Sequence, residues 1–220
     1  MAELWQVLTD NWPEFSSGFW VTVRLVAVSF VIAIVVGTAV AALRIAPWKP
    51  LKWVGGVFVE IFRNTPLLVL LIIAYAGLRR AGLALDAWVA GTACLGLYTA
   101  AYVAEALRSG VFAVGKGQID ASLSLGLDYP RTMRYIILPQ AVRTVIPHLG
   151  SLTIAMIKNS AIVGVSLLGL PDLLHQARLV NSRTFATHET FLWAAVGYLI
   201  LTLLATVAVR KLETRYAIHR

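Results

Sequence analysis

Residues 120–143 read DASLSLGLDYPRTMRYIILPQAVR, a polar passage with one glycine, two prolines and three arginines inside a strongly apolar chain. Its local signals spell two short helices. GQIDASLSLG, residues 117–126, has small and apolar side chains at helical spacing and stops at Gly126, the residue best suited to a left-handed helix end. Asp128 is then placed to cap a second helix, with Pro130 in the first turn, where a missing N–H has no helical partner to lose. Pro139 is expected to break or bend that helix after Leu138. Ala121, Ser122 and Ser124 are small enough for another surface to come close.

Around this passage the composition is that of a membrane protein. Of 220 residues, 59% are apolar and 14% charged, against about half and about a quarter in an average soluble domain. The apolar residues come in blocks. Residues 25–43 run nineteen positions without a charge, the length that crosses a hydrocarbon core of roughly 30 Å. Five spans fit the pattern, at about 19–43, 56–78, 87–107, 149–170 and 191–209, which makes the expected fold all-α and excludes the short alternating strands of a barrel. The first is read as an uncleaved span, because MAELWQVLTDNWPEF lacks a basic signal-peptide start.

Five spans put the two ends of the chain on opposite sides, and charge chooses between the two topologies. With the N-terminus outside, thirteen Lys and Arg fall in inner segments and four in outer ones, which favours N-out, C-in. The opening passage is therefore expected on the cytoplasmic side. The net charge of +8 is accounted for in this way, and no basic, aromatic-interleaved patch suggests nucleic acid. The seven tryptophans lie mostly at span ends, as interfacial anchors do.

The passage resembles the EAA loop of permease subunits of ATP-binding-cassette importers, whose pattern is Glu-Ala-Ala, three residues, Gly, nine residues, Ile-x-Leu-Pro. Here Asp120-Ala121-Ser122 fills the triplet, Gly126 follows in register, and Ile136, Leu138 and Pro139 complete it. Asp for Glu and Ser for the second Ala are the departures. FRNTPLLVLL (62–71), YVAEALRSGVFAVGKGQ (102–118) and IKNSAIVGVSLL (157–168) look like the polar amino acid branch, and RNTPL and KNSA lean towards its glutamate-type permeases.

The resemblance implies a type I importer permease fold in a bacterial cytoplasmic (plasma) membrane. It implies an outer segment at 1–18, a permease domain at 19–213 with the EAA loop at 117–139, and an inner tail at 214–220. The loop would hold a coupling helix, with Asp120, Ala121, Ser122, Gly126, Leu127, Ile136, Leu138 and Pro139 meeting a separate ATPase. Implied partners are ATPase subunits, a second permease subunit identical or similar to this chain, an extracytoplasmic binding protein, the bilayer and an amino acid, glutamate first. ATP and Mg²⁺ would belong to the ATPase, leaving this chain without a cofactor and without enzymatic chemistry.

The remaining residues agree with that division of labour. Gly110 to Gly117, GVFAVGKG, approaches a P-loop, but Gly117 stands where the Mg²⁺-binding Ser or Thr belongs and no strand precedes it. His148, His175, His188 and His219 have no ligand spacing, and Cys94 reads as a small buried hydrophobe. Ionisable and polar residues in the spans are the candidate pathway: Lys158, Asn159 and Ser160 in the fourth, Asn64 and Thr65 beside the helix-opening Pro66 in the second, and Glu105 in the third. Two readings of Lys158 stand side by side, a contact for a substrate carboxylate or a structural pair with Glu105 or another carboxylate. Glu60 and Arg63 are expected to pair along one helix face. Arg24 is expected to snorkel outwards, and Ala33, Gly37 and Ala41 to mark close helix packing. The rival reading is a secondary carrier driven by an ion gradient, but no internal repeat supports it.

Overall fold

The computed structural model describes residues 2–166 and 169–216, and they are helical with no strands among them. Leu167, Leu168, His219 and Arg220, which figure in the motifs and charge count above, lie outside the described residues. A short α1 (Ala2–Asp10) leads into α2 (Trp12–Ile45), then α3 (Lys49–Asn64). Next comes α4 (Leu67–Ile72), which runs through a π turn at Ile73–Gly77 into α5 (Leu78–Arg80). α6 (Ala87–Phe112), α7 (Lys116–Ser124) and α8 (Tyr129–Thr132) follow, then a second π turn at Met133–Ile137 and α9 (Leu138–Val165). α10 (Leu173–Thr184) and α11 (Thr187–Tyr216) complete the chain.

Among the described residues, three helices are long and apolar enough to cross a membrane: Trp12–Ile45, Ala87–Phe112 and Thr187–Arg215. The second expected span is not one rod. Pro66 has no N–H to continue the ladder, Thr65 adopts an extended conformation, and Lys49–Asn64 meets Leu67–Arg80 at 102°. The helix over the fourth expected span, Leu138–Val165, is not among the three, and it is longer and begins earlier than expected. Its 28 residues reach about 42 Å, and Pro139 opens the helix rather than ending its predecessor. The π turn just before explains this: a proline cannot donate to the carbonyl four residues back, and an i→i+5 turn relieves the clash there. Gln140 adds a side-chain donor, 2.9 Å from the Ile136 carbonyl.

α2 and α6 form the spine. Gly37 faces Val103 so closely that a Cβ there would lie 2.7 Å from it, and Ala33 and Ala41 are buried beside it. The small-residue row therefore serves packing within the subunit. Leu25, Leu71, Leu95, Met156 and Val163 form the main core, joining α2, α4, α6 and α9. A smaller core of Val40, Val59, Ala101 and Ala104 seats α3 against the C-terminal halves of α2 and α6.

Candidate functional site

The passage at 120–143 folds as a helical hairpin. α7 ends in a left-handed Gly126 with φ of +81°, and the amides of Gly126 and Leu127 close on the carbonyls of Leu123 (2.9 Å) and Ser122 (3.1 Å). Asp128 caps α8 by accepting from the Arg131 amide at 2.9 Å. Two buried hydroxyls, Ser122 Oγ and Thr132 Oγ1, lie 3.0 Å apart and tie α7 to α8. Asp120 and Ala121 are exposed, while Ser122 is buried in this tie rather than offered outwards. Leu123, Leu125, Tyr129 and Tyr135 stand exposed, Leu125 at 83%, an apolar rim on an otherwise polar hairpin. Ile136 and Leu138 are exposed or half-buried where the hairpin passes into α9.

The second feature gathers around the break before Pro66. Arg63 does not pair with Glu60. Its guanidinium lies 5.4 Å from the ring centre of Tyr102, and Glu60 accepts instead from Asn64 Nδ2 at 2.7 Å. Tyr102 and Tyr98, one turn apart on α6, have hydroxyls 3.2 Å from each other. They line a cavity of about 210 Å³ with Thr99, Leu152, Met156 and Asn159. Asn159, one of the expected pathway residues, thus lies in a cavity. Asn64 and Thr65 lie at the break, next to Arg63.

The other candidates separate. Lys158 is exposed and forms no ion pair among the described residues, sharing its face of α9 with exposed Thr144, His148 and Ser151. Ser160 is fully buried and donates to the Ile157 carbonyl at 2.7 Å. Glu105 does not partner Lys158. It is held by Arg44 from α2 and by Arg108 one turn further on, at 2.6 Å. Arg24 is exposed and shares a cavity with Asp86 and Trp88. No group of three or more His, Cys, Asp or Glu among the described residues could hold a metal.

One polar centre was missed by the sequence reading. Asp172 is fully buried at the start of α10, accepting from the His175 amide at 2.8 Å and the Tyr198 hydroxyl at 3.3 Å. Burial pushes its carboxyl up from 3.8 to about 6, and the His175 amide bond only partly offsets that. Gly164 lies so close that any Cβ would overlap the carboxylate. Next to it, the Leu173 amide donates to Thr22 Oγ1 at 3.0 Å, so one node joins α2, α9, α10 and α11. An Asp after Pro171 at a helix start signals a cap, and nothing local signals its burial.

Known proteins share this chain's sequence and fold along most of its length. Residues 29–218 match the family described as binding-protein-dependent transport system inner membrane component. The probable glutamine ABC transporter permease protein GlnM of Bacillus subtilis (strain 168) is 43% identical, over 95% of this chain and 96% of its own. The glutamate transport system permease protein GluC of Corynebacterium glutamicum is 37% identical over the full length of both. The arginine transport system permease protein ArtQ of Bacillus subtilis is 32% identical over 92% of each. A solved amino acid ABC transporter with histidines superposes with a TM-score of 0.89 at 36% identity, covering 94% of this chain and 96% of that one. The chain belongs to the family of inner membrane components of binding-protein-dependent transport systems.

Proposed function

We propose that this chain is the membrane-spanning subunit of an ATP-driven importer of a polar amino acid, glutamate or glutamine before arginine. The observation that carries the reading is the α7–α8 hairpin. It is an exposed apolar rim on a rigidly tied unit, continuous through one π turn with the helix that bears Asn159. In this reading α7 is the coupling helix. Closure of a bound ATPase moves it, the Ser122–Thr132 tie passes the displacement to α8, and α9 carries it to the cavity beside Tyr98 and Tyr102. Asp120, Ala121, Gly126, Leu127, Ile136, Leu138 and Pro139 shape that contact.

The finer architecture belongs to the same proposal. The chain crosses five times, N-out and C-in, counting α3 to α5 as one broken span and α9 as another. The cavity at about 210 Å³ is smaller than the roughly 300–1,000 Å³ of a self-sufficient ligand site. A second permease subunit completes it, facing the polar stripe of Thr144, His148, Ser151 and Lys158, which lipid would not tolerate. Substrate carboxylate meets Arg63 and the opened backbone before Leu67, and an extracytoplasmic binding protein delivers it. Glu105, already neutralised by two arginines, offers nothing to a cationic side chain, which supports placing arginine behind glutamate and glutamine.

Cysteine crosslinking tests the docking. Cys94 is the one native cysteine and is buried, so Leu125→Cys introduces a single accessible thiol. It is expected to crosslink to the cognate ATPase in membranes, with a yield that changes when ATP is added. A crosslink only to lipid or to a second copy of this chain would remove α7 from the coupling role.

A further inference from the structure

Between the α7–α8 hairpin and the α2–α3 turn lies a cavity of about 410 Å³, with Tyr129 of the exposed rim among its lining residues. Its floor is apolar, made by Val111, Met133 and Ile137, with Ile119 of α7 on one wall. Its polar lining includes two lysines: Lys52 from the first turn of α3 and Lys116 from the first turn of α7. Neither lysine forms an ion pair among the described residues, and no Asp or Glu lines the cavity. Trp48 and Trp53, each 71% exposed, flank Lys52 on the same turn. Indole rings so exposed mark a headgroup level in a membrane protein.

An apolar floor beneath two uncompensated cations, at headgroup height, fits a ligand with an anionic head and a hydrocarbon body. A soluble anion would use the lysines and leave the floor wetted, and a neutral lipid would fill the floor and leave the charges unmatched. We propose that this cavity binds an anionic phospholipid of the cytoplasmic leaflet, its phosphate between Lys52 and Lys116 and its upper chain on Val111, Met133 and Ile137. Basic pockets between helices on that side of a membrane are suited to such headgroups. The lipid bridges the α2–α3 turn to the start of α7. Its binding therefore steadies the hairpin against the body of the subunit. The choice of leaflet rests on the proposed N-out topology, and this last consequence on α7 being the coupling helix.

The test uses the purified transporter with its ATPase, delipidated in detergent and then offered phosphatidylglycerol or phosphatidylcholine, with bound lipid counted by native mass spectrometry. At about 1 kcal/mol per lysine near the headgroups, two lysines give about 30-fold preference for the anionic lipid. Lys52→Gln with Lys116→Gln is expected to reduce this to a few-fold. Lys211→Gln with Arg215→Gln, at the far end of α11, is expected to leave it intact. Ile119→Trp, which fills the cavity without altering charge, is expected to lower retention of both lipids. Undiminished preference in the double lysine variant, or equal loss in the α11 control, would overturn the proposal. Displacement of the lipid by soluble glycerol phosphate at equal concentration would do so as well, since it would identify a site for free anions. ATP hydrolysis in nanodiscs of the two lipids separates the levels. Selective retention without stimulation of hydrolysis upholds the lipid site and counts against the coupling role of α7.

Discussion

Asp172→Asn should make this protein more stable at neutral pH and flatten its pH dependence. The carboxyl is fully buried and its burial raises it to about 6 from an ordinary 3.8. The sign follows from linkage. The folded state holds the proton more tightly than the unfolded one, so the contribution is fully present below about pH 4 and is lost as pH rises through 6. The difference of about 2 units at 1.36 kcal/mol each gives a loss of about 3 kcal/mol between pH 4 and pH 7. For a chain of this size that is a fall of roughly 6–12 °C in unfolding temperature. Asparagine keeps the oxygen that accepts from the His175 amide and presents an N–H₂ that the Tyr198 hydroxyl can accept. The cap survives and the titration disappears. Thermal unfolding of wild type and variant in one detergent, from pH 4.5 to 7.5, isolates the effect as a difference of two slopes. Equal slopes would refute the argument, and so would a variant less stable than wild type at pH 7.5.

Three further outcomes follow from other parts of the molecule. Gly37→Leu places a side chain where a Cβ alone would come within 2.7 Å of Val103, so overpacking should cost about 1–3 kcal/mol, read as reduced thermal stability in detergent, while Ala33→Gly should cost less. Ser122→Ala leaves the buried Thr132 hydroxyl without its side-chain partner, a penalty of about 1–3 kcal/mol confined to the hairpin, and hydrogen exchange should rise in 116–132 with little change in α2 or α6. Glu105→Gln leaves Arg44 and Arg108 facing each other without a carboxylate, and because both are part-exposed the loss should be nearer 1 than 4 kcal/mol. Thermal unfolding reads it directly, and a loss at the level of a fully buried charge would contradict the observed exposure.

How much of this was legible in the sequence depended on how local the cause was. The end of α7 at Gly126 and the cap at Asp128 are decided by the residues that carry them, and both read correctly. Pro66 was legible as an opening in the helix, but the 102° between its two sides was not, because neighbours set the direction in which a broken helix leaves. Pro139 misled for a related reason. A proline rule assumes an α ladder before it, and the π turn at Met133–Ile137 changes that ladder. Charge pairing failed most clearly. Glu105 had Arg108 within its own helix, yet its other partner, Arg44, lies 61 residues earlier in α2, and Arg63 settled on an aromatic ring rather than on Glu60. Asp172 could not be singled out at all, since its character comes from Gly164, Thr22 and Tyr198 closing over it from three other helices.

Uptake of labelled amino acid into proteoliposomes holding this chain, its ATPase and its binding protein tests the central claim most directly. The account predicts accumulation that requires internal or external ATP on the side of the ATPase, persists when ion gradients are collapsed, and yields to unlabelled glutamate or glutamine before arginine. Uptake that follows an ion gradient and ignores ATP would contradict it.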